Sequence, residues 1–69
     1  MSKYYVIYTW EGQAYAPQFG DYSKQVVLAE VADTYRPDYA KRDILVAPFA
    51  HCPTQAEIDS FARLAAKQR

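Results

Sequence analysis

The chain has 69 residues, with eight basic and eight acidic side chains and a formal net charge of zero. That length makes one domain, residues 1–69, with no room for a second. The even charge balance argues against a general nucleic-acid binder and equally against an acidic nucleic-acid mimic, while one cysteine and one histidine exclude an internal disulfide and make a poor zinc site.

The first predicted element is a strand over roughly residues 3 to 10, Tyr4-Tyr5-Val6-Ile7-Tyr8-Thr9-Trp10 at its centre. Alternation sends Tyr4, Val6, Tyr8 and Trp10 to one face and Tyr5, Ile7 and Thr9 to the other, so both faces are apolar or aromatic. Glu11-Gly12 offers a tight turn because Gly tolerates positive φ. Gln13-Ala14-Tyr15-Ala16 pairs back as a short second strand that Pro17 stops. The competing reading makes residues 11–22 one ordered loop.

Asp21 or Ser23 caps a first helix that runs to about Tyr35. Val27, Val31 and Tyr35 form its apolar stripe with Leu28 and Ala32 beside them, and Glu30 and Asp33 fall on the polar side. The valines lower helix propensity, so Val26-Val27-Leu28 as a strand is the alternative. Pro37 ends the segment. After a polar connection from Asp38 to Lys41, Ile44-Leu45-Val46-Ala47 reads as a short strand bounded by Pro48. Phe49-Ala50-His51-Cys52-Pro53 turns into the last helix. Thr54-Gln55-Ala56-Glu57 is a capping box, followed by an apolar face of Ile58, Phe61, Ala62 and Ala65 with Leu64 at its edge. Asp59 and Arg63 are spaced as an i,i+4 pair, and Lys67 and Arg69 suit the negative end of the helix dipole.

The order is therefore β(β)αβα. It implies an α+β fold: a small two- or three-stranded sheet with two helices packed on one face. If Tyr5 and Ile7 face the helices, Tyr4, Val6, Tyr8 and Trp10 are left as an open aromatic face. Three occupants of that face follow from its chemistry. A protein contact, to a host protein or a second copy of the chain, leads, because Tyr and Trp combine apolar area with a polar tip. The segment from Pro17 to Tyr22 folding back over the face is the internal rival. Stacking of single-stranded bases is the third, and the neutral net charge weakens it. The partner-binding candidates are Tyr4, Tyr8, Trp10 and Tyr15, with Arg36 and Arg42 as a polar rim.

His51-Cys52-Pro53-Thr54 is the one stretch that looks chemical, since a cysteine before a helix N-terminus has a lowered pKa when a positive group assists it. No third orienting group accompanies it, and only Gly12 and Gly20 exist to build a phosphate loop. The expectation is a protein with no catalytic residues, metal or cofactor. The short apolar run after Lys3 is too brief for a signal peptide or a membrane span, so the expected location is the cytoplasm. A free Cys52 suits that compartment.

Through Trp10-Glu11-Gly12-Gln13-Ala14-Tyr15-Ala16-Pro17-Gln18-Phe19-Gly20-Asp21-Tyr22-Ser23, about a fifth of its length, the chain resembles the small accessory proteins of bacteriophages and prophages. Anti-CRISPR proteins and other inhibitors of host machinery belong to that group. The resemblance implies a stoichiometric inhibitor acting by occlusion on a protein of the host cell. It transfers no functional residue.

Overall fold

The computed structural model describes residues 3–69. The strand with two apolar faces, β1 (Tyr4–Trp10), sits at the centre of a three-stranded sheet. Its neighbours β2 (Tyr15–Asp21) and β3 (Ile44–Phe49) both pair with it antiparallel. Val6, Ile7, Tyr8 and Thr9 are all buried. Burial of four consecutive strand residues requires cover on both faces of the sheet, because neighbouring side chains point to opposite sides.

That cover comes from two helices. The first, α1 (Lys24–Glu30), continues into a π-helical turn over Val31–Tyr35, and the second is α2 (Gln55–Lys67). The α+β class, the small sheet and the order of elements are as the sequence indicates. The expected placement of both helices on one face needs correction. Tyr8 stacks on Phe61 of α2 at 5.6 Å, and its hydroxyl donates to the Ile58 carbonyl at 2.9 Å. Lys24 and Leu28 of α1 lie instead beside Tyr5, Val46 and Pro48, on the opposite face.

Topology explains the split. β2 and β3 both run antiparallel to β1, and therefore parallel to each other, with β1 between them. The chain must cross one face of the sheet to pass from β2 to β3, and parallel strands are usually joined through a helix. α1 takes that route. α2 follows β3 and closes the other face, where Val6, Tyr8 and Ala47 form the core with Leu45, Phe49, Ile58, Phe61 and Ala62 around them.

Local chemistry sets the element ends. The β1–β2 turn closes through the Glu11 amide on the Ala14 carbonyl at 2.9 Å, with Gly12 at φ 95° where a side chain would be strained. Pro17 does not stop β2, which runs on to Asp21, so residues 15–21 are strand rather than a long loop. An edge strand tolerates a proline because one side of it has no pairing partner. The register also slips here, from Ile7 opposite Phe19 to Tyr8 opposite Pro17. Gln18 is the extra residue of that bulge, and its amide nitrogen donates to Thr9 Oγ1 at 2.8 Å. β3 likewise extends through Pro48 to Phe49 as the other edge.

Of the two candidate caps of the first helix, Ser23 is the N-cap and Asp21 holds the Ser23 backbone in place. Ser23 Oγ accepts from the Val26 amide at 3.3 Å, and Asp21 accepts from the Ser23 amide at 2.7 Å. In α2 the capping box forms in both directions between Thr54 and Glu57. Asp59 accepts from Gln55 at 2.9 Å, where the spacing had suggested Arg63.

Candidate functional site

The aromatic face expected to be open lies under α2. Tyr8 is 0% exposed with its hydroxyl bonded inward, and burial, assisted by the charge of Asp59, pushes its pKa up to about 12. It is a core residue and is withdrawn as a contact anchor. The segment from Pro17 to Asp21 is strand β2 beside β1 rather than a lid above it.

Tyr4 is half-buried at one end of this face, edge-on to Tyr22 with ring centroids 4.8 Å apart. Its ring passes so close to Gly20 that a Cβ there would stand 2.6 Å from a ring carbon. The glycine is the gap that admits the ring. Burial, with smaller effects from Cys52 and Asp21, raises the Tyr4 pKa.

At the other end, Trp10 and Tyr15 meet across the hairpin at 5.0 Å. The guanidinium of Arg69 lies 4.3 Å above the Trp10 ring and donates to the Tyr15 hydroxyl, the Arg42 carbonyl and Asp43, the last at 2.8 Å. Trp10, Tyr15 and Arg42 do come together, but as parts of an internal latch that ties the end of α2 to the sheet. Arg42 contributes its backbone rather than its charge. Arg36 stands exposed beyond the π-helical turn and has no part in the latch. No local sequence signal marks Arg69 as the organising residue, because its hydrogen-bond partners lie 26 to 54 positions away and Trp10 is farther still.

His51 and Cys52 turn to different partners. The His51 ring is 3.3 Å from Glu57, whose pKa is lowered first by the Thr54 amide and then by His51. Cys52 is exposed and lies by the Tyr22 hydroxyl, raising the pKa of that phenol. Among the described residues no group of three or more His, Cys, Asp or Glu is placed to hold a metal ion. No helix of the described residues is long and apolar enough to cross a membrane.

The face under α1 is closed at only one end. Buried Thr9 donates to Glu11 at 2.6 Å, and Tyr39 donates to the same carboxylate at 2.8 Å. These two bonds hold the Glu11 pKa low. They also fasten the connection before β3 to the first hairpin. Ile7 and Val27 are fully buried in the middle. Towards the start of β1, cover is lost. Tyr5, Leu28, Val46 and Pro48 line a groove of about 280 Å³, bordered by Lys3 and Lys24. Leu28 is 48% exposed.

Sequence reasoning missed this groove by assigning Tyr5 to the covered face. The run Val26-Val27-Leu28 held the available signal, since three consecutive apolar residues cannot all lie on one side of a helix. α2 is flanked by two further apolar grooves. One holds Leu45, Phe61 and Leu64, and the other runs between β2 and the helix.

No protein-family model matches the chain, and searches of curated proteins and of solved structures returned no match.

Proposed function

We propose that the chain is a non-catalytic binding module that docks on a larger protein. The form of action implied by its resemblance to phage accessory proteins is occlusion of a host protein, as an anti-CRISPR-like inhibitor would act. The observation that carries the docking surface is the half-covered face under α1. There Leu28 stands 48% exposed beside Tyr5, Val46 and Pro48. Exposed apolar side chains gathered around a groove are the usual mark of a contact surface. Trp10 and Tyr15 are occupied by Arg69, and Tyr8 is covered, so the anchors move from the aromatic face to this one. Base stacking loses its support for the same reason, since Tyr8 lies beneath α2 and Trp10 is covered by Arg69, so no row of open rings remains on that face.

The test is a tagged pull-down from bacterial lysate with three folded proteins: wild type, Leu28→Glu and Leu64→Glu. Leu64 is 58% exposed on the far side of the sheet and serves as the control. The expected outcome is a partner retained by wild type and Leu64→Glu and lost by Leu28→Glu. Retention by Leu28→Glu, or no retained partner at all, would remove this surface from consideration.

A further inference from the structure

The groove under α1 has a charge signature that narrows what it accepts. Its charged lining residues are Lys3, just before β1, and Lys24, at the start of α1, and no carboxylate lines it among the described residues. Neither lysine takes part in an ion pair among those residues. Asp21, opposite Tyr5 on β2, is engaged by the Ser23 amide at 2.7 Å. The groove therefore joins an apolar floor of Tyr5, Leu28, Val46 and Pro48 to a border of two lysines that form no ion pair among the described residues. That combination appears in a chain whose overall charge is zero.

We infer that the occupant of this groove is an acidic amphipathic segment of another protein. Resting on the docking surface proposed above, the inference adds the chemistry of the partner. Apolar side chains of the segment fill the floor, and its carboxylates reach Lys3 and Lys24. Opposite charge at a rim speeds encounter and fixes orientation, while the apolar contact slows release. The segment docks by its side chains rather than by adding a strand to β3. Pro48 lacks an N–H and interrupts that edge, as prolines on edge strands commonly do. The size of the groove agrees, because about 280 Å³ admits side chains and not a whole element.

The experiment pans a display library of random peptides on the immobilised full chain. Selected peptides are then titrated against wild type, Leu28→Glu and a Lys3→Glu, Lys24→Glu double variant, each checked for folding by circular dichroism. The expected result is enrichment of peptides that combine Asp or Glu with large apolar residues. Their affinity falls about tenfold or more in both variants. Neutral or basic peptides that still need Leu28 would overturn the acidic occupant and leave the docking surface standing. Binding indifferent to Leu28, or no enrichment, would overturn both. Sedimentation of the free chain supplies the remaining arm: a dimer that Leu28→Glu dissolves would make the occupant a second copy and refute the inference.

Discussion

The two faces of the sheet are covered by their helices to different extents, and the difference shows where apolar surface is left. α2 has 13 residues and so spans about 20 Å, close to the length of the seven-residue β1, about 23 Å. It covers Val6 and Tyr8 completely, and Arg69 completes the closure over Trp10. The α-helical part of α1 has seven residues, spans about 10 Å, and buries one side chain, Val27. The helix continues through Val31–Tyr35 without burying another side chain, and beside Lys24 and Leu28 the sheet face lies open at Tyr5, Val46 and Pro48. A helix that buries so little of the face beneath it leaves an apolar surface, and the proposed docking rests on that surface.

The largest expected effect sets the two faces directly against each other. Tyr8→Ala empties the centre of the α2 face and should destabilise the fold by about 3–5 kcal/mol, a large share of the stability of so small a domain. Val27→Ala removes two methyl groups from the α1 face and should cost about 2 kcal/mol. Urea denaturation followed by circular dichroism measures both. Equal losses would mean that the faces contribute alike.

Capping offers a gentler version of the same contrast. Thr54→Ala breaks the reciprocal box of α2 and should cost about 1 kcal/mol. Ser23→Ala removes a single longer bond of 3.3 Å from α1 and should cost about 0.5 kcal/mol. A larger loss at Ser23 would show that α1 carries more of the stability than its burial indicates.

Alkaline pH probes the α2 face through Tyr8, the tyrosine with the largest shift. Folding raises the Tyr8 pKa from 10.0 to about 12. Between those values the folded state keeps a proton that the unfolded state has released. The stabilisation is therefore complete below pH 10 and is lost as pH rises towards 12. Tyr8→Phe gives up the bond to Ile58, about 1 kcal/mol, and its stability should fall less steeply across this window. The slope that remains comes from Tyr4, Tyr22 and Tyr39, which are also raised. Identical slopes for variant and wild type would contradict the burial of the Tyr8 hydroxyl.

The smallest effect concerns the latch. Trp10 is the only tryptophan, so its fluorescence reports on that corner alone. Arg69→Ala should shift the Trp10 emission to longer wavelength as water reaches the ring, with little change in secondary structure. An unchanged spectrum would mean that the guanidinium does not shield the indole.

Much of this was legible where the signal is local. The capping box at Thr54 and Glu57, the glycine turn after Trp10 and the apolar face of α2 each depend on residues within four positions of one another. The two prolines were misread as strand ends because their tolerance depends on β2 and β3 being edges, which is a property of the assembled sheet. The aromatic stripe of β1 was read correctly as a face and incorrectly as an open one. Alternation separates the two sides of a strand but carries no label for which helix will cover which side.

The sequence by itself determined that both faces of β1 are apolar or aromatic, since large side chains follow one another along its length instead of alternating with polar ones. It also determined that a second helix begins at Thr54. Only the tertiary structure decided that β1 lies between two strands parallel to each other, which forces α1 across one face and leaves the other to α2. How much each helix buries then did the rest: α2 covered Tyr8, and α1 left Leu28 and two lysines beside an open groove.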